Sequence, residues 1–128
     1  MAVALAGYRI LVVEDLYLIA VTVCEALQQA GAEVVGPYPS CQQSLAVIEK
    51  ERVDVAILDI ALTDGTVFPV ARKLAHSGTP FMFLTGYDSH GVPGEFPSAP
   101  HMIKPVHLDE LCQRVAMLVT EPAAQPSR

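Results

Sequence analysis

Short, nearly continuous apolar runs are the feature that most constrains the fold of this chain. They occupy residues 10–13 (ILVV), 53–58 (VDVAIL) and 80–84 (PFMFL), and segments with helical spacing of apolar residues separate them. A strand that is apolar on both faces is typical of a parallel sheet covered by helices on both sides. The pattern therefore predicts an α/β domain built on a doubly wound parallel sheet.

The order of the remaining elements completes this sheet. We expect strands at 8–13, 32–38, 53–58, 80–84 and 101–103, and helices at 17–30, after Ser40, at about 66–76 and at 107–119. Residues 85–100 stand where a fourth helix belongs, but they are rich in glycine and proline and cannot sustain a regular helix. We therefore predict five strands with a degenerate or missing fourth helix, the interval being either one short turn or an open loop.

Length and charge restrict the classes of function. A chain of 128 residues suits one domain, which we place at 8–120, with an N-terminal extension at 1–7 and a frayed tail at 121–128. The net charge of −6 argues against direct nucleic-acid binding. No apolar run is long enough to predict membrane insertion, and three cysteines without a CxxC spacing predict neither a disulfide framework nor a zinc site. These features favour a cytoplasmic protein.

Chemically active side chains follow the predicted strands. Ligands of such sheets bind at the carboxyl ends of the strands, so the residues found there are expected to form one site. The residues at these ends are Glu14 and Asp15, Asp59, Thr85 and Gly86, and Lys104.

This set of residues predicts a metal site suited to phosphoryl transfer. Three neighbouring carboxylates repel one another unless a cation lies among them, and Mg²⁺ prefers oxygen ligands of this kind. Lys104 adds a positive charge, and Thr85 adds a hydroxyl that can be donated to a bound phosphoryl group. Asp59 would then be a nucleophile beside two cations that neutralise the transferring oxygens.

Four motifs, in order, resemble the receiver domain of bacterial two-component response regulators. They are VVED at 12–15, ILDIALTDG at 57–65, FLTGYD at 83–88 and IKP at 103–105. The resemblance covers nearly all of residues 8–120 and implies a flavodoxin-like sheet with strand order 2-1-3-4-5. FLTGYD is also similar to the signature of a subgroup, often single-domain, with a Phe-Ala-Thr-Gly-x-Tyr motif, in which the fourth helix is often degenerate.

The resemblance implies a role for each site residue. Asp59 would be the phospho-acceptor, and Lys104, the Thr85 hydroxyl and the Gly86 N–H would contact the phosphoryl group. Mg²⁺ (or Mn²⁺) would be bound by Asp15, Asp59 and the backbone carbonyl of Ala61, with help from Glu14. The Lys104–Pro105 peptide bond would be cis.

The resemblance also implies partners. A sensor histidine kinase or a histidine phosphotransfer protein would donate the phosphoryl group, and a downstream protein would read the result. The chain would catalyse its own phosphorylation and dephosphorylation and no other reaction.

One position departs from the family: His101 stands where most receivers place a Tyr or Phe switch, so either Tyr87 takes that role or the signal passes through ordering of the 86–100 loop. The oligomeric state is left open.

Two other functions use some of the same residues. A phosphatase of the haloacid dehalogenase type also uses an aspartate after a strand, but it requires a second aspartate where this chain has Ala61. A receiver-shaped interaction module that no longer takes phosphate is the alternative, and the change at His101 favours it. The intact set of Asp15, Asp59, Thr85 and Lys104 argues against it.

Overall fold

The computed structural model describes residues 4–86, 95–96 and 99–120, and strands and helices alternate over its first half. The elements are β1 (Arg9–Val13), α1 (Tyr17–Gln29), β2 (Glu33–Tyr38), α2 (Cys41–Lys50), β3 (Val55–Asp59), β4 (Ala61–Leu62), β5 (Gly65–Thr66), α3 (Phe68–His76), β6 (Phe81–Thr85), β7 (His101–Ile103) and α4 (Leu108–Thr120). None of the helices within the described ranges has the length and apolar character needed to cross a bilayer.

Five strands form one parallel sheet in the order β2-β1-β3-β6-β7. This order confirms the predicted doubly wound, flavodoxin-like topology, because β6 and β7 are the fourth and fifth strands of the sheet. The strand β3 lies at its centre, and every residue of β3 is buried. The apolar runs that predicted the strands are therefore the residues that both helical layers cover.

The core has two halves, one on each face of the sheet. Successive strand residues point to opposite faces, so Ile10 and Val12 of β1 pack in one half, while Leu11 and Val13 pack in the other. The first half contains apolar residues of α1 and α4, and the second contains those of α2 and α3. Leu5, which lies in the segment predicted as an N-terminal extension, is fully buried in the first half.

A two-stranded antiparallel hairpin, β4–β5, follows β3 and was not predicted. It pairs Ala61 with Thr66 and Leu62 with Gly65. Its second strand contains Thr66, where the expected helix at about 66–76 would begin. Helix α3 therefore begins at Phe68, with Pro69 in its first turn. Proline is favoured there because the first turn does not use its missing N–H.

The structure describes residues 86, 95–96 and 99–100 of the interval between β6 and β7, so the predicted degenerate or missing fourth helix lies mostly outside the described residues. Phe96 is buried there, and its ring lies 5.6–6.0 Å from the rings of Phe68, Phe81 and Phe83. Aromatic contacts at this distance stabilise beyond the area they bury. The rest of the interval, including Tyr87, lies outside the described residues.

Candidate functional site

Three carboxylates meet at the carboxyl edge of the sheet. Glu14 directly follows β1, and Asp59 is the last residue of the neighbouring strand β3, with Val13 and Leu58 paired just before them. One oxygen each from Glu14, Asp15 and Asp59 lies within 4.8 Å of the others. Glu14 and Asp59 are buried, and Asp15 is partly exposed. The structure thus brings together the three acids that the sequence predicted would meet.

Lys104 reaches this cluster from β7, at the far edge of the sheet. Its Nζ lies 3.0 Å from Glu14 Oε1 and 3.2 Å from Asp59 Oδ1. Its backbone N–H donates to the Thr85 carbonyl at 2.8 Å, which continues the pairing of β7 with β6. The Lys104–Pro105 peptide bond is cis, as expected. The ammonium therefore bridges two of the three acids.

Burial and crowding perturb the proton affinities of the site. Burial, followed by the hydrogen bond and negative charge of Glu14, raises the pKa of Asp59 to about 7 against the opposing effect of Lys104. Burial lowers the pKa of Lys104, but the hydrogen bond to Glu14 and the charges of Asp59 and Glu14 outweigh it, so the net shift is upward. Lys104 stays charged, and a second positive charge among the acids would lower the pKa of Asp59 and favour its ionised form.

The two carboxylate oxygens of Glu14 differ in their hydrogen-bond partners. Its Oε2 accepts hydrogen bonds from the Leu16 N–H at 3.1 Å and from Lys104 at 3.3 Å. Its Oε1 is buried and makes no hydrogen bond within the described residues, although Lys104 Nζ lies 3.0 Å away. A buried carboxylate oxygen without a hydrogen bond is costly, and a bound cation would satisfy it.

The other predicted site residues lie around the same edge. Thr85 is buried at the end of β6, where its Oγ1 donates to the Gly86 carbonyl at 3.1 Å. Leu84, just before it, pairs with Asp59, which places Thr85 beside the acid cluster. Ala61 lies two residues beyond Asp59, in β4. The predicted residues thus occupy adjacent strand ends.

The structure describes one of the two candidate switch residues, His101. His101 is an exposed residue of the edge strand β7, and its Cα pairs with Phe83 rather than with a site residue. Tyr87, the alternative, lies outside the described residues. The sequence analysis also missed the Leu16 N–H that orients Glu14, because a backbone donor leaves no signal in the residue types.

A five-stranded parallel sheet with this strand order defines the flavodoxin-like class of α/β domains, and the acidic cluster lies at the carboxyl edge where that class binds its ligands. Within that class, this chain belongs to the response regulator receiver domain family, since the family model matches residues 10–116. Members of this family are switches of two-component signal transduction rather than classical enzymes.

The chain is similar to curated proteins of Mycobacterium tuberculosis. It is 34% identical over 116 residues to the transcriptional regulatory protein TrcR, covering 87% of this chain and 45% of TrcR. It is 23% identical over 116 residues to the transcriptional regulatory protein PdtaR, covering 88% of this chain and 57% of PdtaR. The chain thus spans about half the length of the curated relatives that it matches.

Solved structures agree with the family. SdrG from Sphingomonas melonis Fr1 is 35% identical with a TM-score of 0.76, covering 88% of this chain and 97% of that chain. The BeF3-activated conformation of SdrG, from Pseudomonas melonis Fr1, is 34% identical with a TM-score of 0.74, covering 90% and 98%. A CheY-like receiver domain from Methanospirillum hungatei JF-1 is 27% identical with a TM-score of 0.81, covering 91% and 96%.

Proposed function

We propose that Asp59 accepts a phosphoryl group from a phosphohistidine, and that this changes which proteins the domain binds. The observation that carries the proposal is the position of Lys104, whose Nζ lies 3.0 Å from Glu14 and 3.2 Å from Asp59. A lysine held beside the buried acceptor carboxylate is poised to bind the oxygens of a phosphoryl group that Asp59 accepts.

The donor set fits a hard divalent cation. Carboxylate oxygens of Glu14, Asp15 and Asp59 lie within 4.8 Å of one another, and Glu14 Oε1 has no hydrogen bond within the described residues. Glu14, Asp15, Asp59 and the backbone carbonyl of Ala61 would hold Mg²⁺ (or Mn²⁺). When bound, the ion would neutralise negative charge on the acids and on the phosphoryl oxygens.

The residues of the chain have distinct tasks in the transfer. An ionised Asp59 oxygen attacks phosphorus, the bond from phosphorus to the donor's imidazole nitrogen breaks, and that nitrogen keeps the electron pair. Lys104 then pairs with a phosphoryl oxygen instead of with Asp59. The Thr85 hydroxyl leaves the Gly86 carbonyl, to which it donates at 3.1 Å, and donates to the phosphoryl group together with the Gly86 N–H. Water later attacks phosphorus, the bond from phosphorus to the Asp59 oxygen breaks, and inorganic phosphate leaves the restored carboxylate.

The partners follow from this chemistry. The donor would be a sensor histidine kinase or a histidine phosphotransfer protein, and the signal would be read by a downstream protein in the cytoplasm. The rearrangement at Thr85 would pass to the partner surface through Tyr87 or through ordering of residues 86–100, because His101 is exposed on the edge strand and replaces the usual aromatic switch.

The test is the intact mass of the protein after incubation with Mg²⁺ and a small acyl phosphate. The parent should gain one phosphoryl group, and Asp59→Asn should gain none. Asp109→Asn, which removes an exposed acid of α4, should behave like the parent. The same incubation with EDTA in place of Mg²⁺ should give no mass gain.

A different result would favour the second candidate, a phosphate-independent interaction module, which the unusual His101 supports. That function predicts no mass gain from the acyl phosphate, nor from a phosphorylated kinase or histidine phosphotransfer protein, while the protein stays folded. A mass gain with the protein donor but not with the acyl phosphate would support the proposed function and show that the donor must be a protein.

A further inference from the structure

The tip of the β4–β5 hairpin is bound to the start of helix α2. The Asp64 carboxylate accepts a hydrogen bond from the Cys41 N–H at 2.9 Å through Oδ1, and another from the Gln42 N–H at 3.1 Å through Oδ2. Thr63 Oγ1 donates to the Pro39 carbonyl at 3.4 Å. These hydrogen bonds connect the loop that follows Asp59 to α2, although Asp64 and Gln42 are 22 residues apart in sequence.

The base of the same hairpin is bound to the sheet at the candidate site. The Ile60 N–H donates to the Leu84 carbonyl at 3.2 Å, and the Val67 N–H donates to the Ile60 carbonyl at 3.0 Å. Gly65 closes the hairpin with a φ of +127°, a conformation that residues with a Cβ rarely adopt. Ala61 therefore lies between a base fixed to β6 and a tip fixed to α2.

Two-residue strands do not hold such a hairpin in one position by themselves, because an isolated hairpin is marginal in water even when it is longer. An ionised carboxylate that accepts two N–H groups at a helix N-terminus makes strong, directional contacts. These hydrogen bonds also lower the pKa of Asp64, which keeps the group ionised at neutral pH.

We propose that Asp64 is a positioning residue for the metal site. Its hydrogen bonds hold the hairpin against α2 and so fix the position of the Ala61 carbonyl relative to Asp59. This inference rests on the proposed function, since it concerns the ion that Glu14, Asp15, Asp59 and Ala61 would hold. Within the described residues, Asp64 makes its side-chain hydrogen bonds to α2 and not to the acid cluster, so it would act through the backbone between them.

Helix α2 supplies a matched control. Ser40 is its N-cap, and the Ser40 hydroxyl accepts from the Gln43 N–H at 3.2 Å. Asp64 and Ser40 thus both satisfy N–H groups in the first turn of the same helix, but Asp64 also belongs to the hairpin, and Ser40 does not. Removing either one weakens the start of α2, but only the removal of Asp64 also breaks hydrogen bonds between the hairpin tip and α2.

The experiment is a calorimetric titration of Mg²⁺ into the parent, Asp64→Ala, Asp64→Asn and Ser40→Ala. We expect Asp64→Ala to weaken Mg²⁺ binding by about tenfold, as is typical when a residue that orients a ligand is lost. Asp64→Asn keeps one acceptor oxygen and should lose less, whereas Ser40→Ala should bind like the parent. Hydrogen exchange adds a second measurement: Mg²⁺ should slow exchange of the Cys41 and Gln42 amides in the parent, because coupling is reciprocal.

Each other outcome is decisive. Unchanged Mg²⁺ affinity in Asp64→Ala, or equal losses in Asp64→Ala and Ser40→Ala, would overturn the positioning role and leave Asp64 as a helix cap. Equal losses in Asp64→Ala and Asp64→Asn would overturn it in favour of a charge effect, since both variants remove the same charge. If Asp64→Ala does not fold, the comparison of Asp64→Asn with Ser40→Ala decides the matter. A parent that binds no Mg²⁺ would instead refute the proposed function, and this inference with it.

Discussion

Asp59→Asn is expected to stabilise the protein in the absence of metal at pH 8. In the folded protein, burial and the neighbouring Glu14 raise the pKa of Asp59 from its ordinary value of 3.8 to about 7. Such a rise corresponds to roughly 4 kcal/mol of unfavourable free energy for the ionised carboxylate in the folded state. This is an upper limit for the gain, and we expect about half of it, because an amide does not replace the contact with Lys104.

The sign of the pH dependence follows from the raised pKa. Between pH 4 and pH 7, the folded protein holds a proton on Asp59 that the unfolded chain has released, so the contribution of Asp59 to stability falls as pH rises through this range. Above about pH 7 Asp59 is ionised in both the folded and the unfolded state, so its contribution to stability falls no further. The stabilisation in Asp59→Asn should therefore be largest at pH 8 and should nearly vanish at pH 5, where only roughly 1.6 of the 4 kcal/mol has developed and the lost contact with Lys104 offsets it.

Urea unfolding in EDTA at pH 5 and pH 8 tests this prediction. With a slope of about 1.5 kcal/mol per molar urea, a gain of 2 kcal/mol moves the midpoint up by roughly 1.3 M at pH 8. Glu25→Gln is the control, because it removes the same charge from an exposed position in α1 and should show no such difference between the two pH values. An Asp59→Asn variant that is no more stable than the parent at pH 8, or equally stabilised at both pH values, would refute the argument.

Other substitutions test the core and the site. Leu5→Ala should lower the free energy of unfolding by about 3 kcal/mol, since Leu5 is fully buried, and a urea-unfolding loss below about 1 kcal/mol would contradict that placement. Phe96→Ala should cost a similar amount, about 3 kcal/mol, through its contacts with three other rings, measured in the same way. Lys104→Ala should bind Mg²⁺ at least as tightly in calorimetry, because a competing positive charge is gone, yet gain phosphoryl mass about 100-fold more slowly. If Lys104→Ala instead lost Mg²⁺ affinity and phosphorylation rate to the same extent, the substitution would have disrupted the structure of the site.

The sheet and the acid cluster were predictable because their signals are local. Apolar runs marked the strands, and the residue after each run marked its carboxyl end, where Glu14 and Asp59 do meet in the structure. The parallel arrangement then required no long-range information, since consecutive strands joined by helices follow a right-handed crossover rule. The bounds of the strands in the structure differ from the predicted bounds by only one or two residues. For example, β3 ends on Asp59 rather than before it.

The missed features depend on contacts between residues far apart in the chain. Leu5 precedes any recognisable periodic pattern and becomes part of the core because its N–H donates to the Ala30 carbonyl at 2.7 Å, which places it against the end of α1. Phe96 lies in a stretch whose glycines and prolines argue for a loop, and its burial depends on rings of α3 and β6. Asp64 sits in a turn motif, and the helix it contacts begins 23 residues earlier. Residue type alone reveals none of these pairings.

The acid cluster is also the place where the sequence departs most from what stability alone would select. A buried Glu14 oxygen lacks a hydrogen bond within the described residues, and a neighbouring aspartate resists ionisation, although apolar or amide side chains would fill the same space at lower cost. Lys104 relieves part of the repulsion but not all of it, since one ammonium faces three carboxylates. The remaining negative charge is what would draw a divalent cation into the site, and the bound cation would in turn keep Asp59 ionised and nucleophilic at neutral pH. The instability of the metal-free site and its proposed reactivity therefore have the same electrostatic origin.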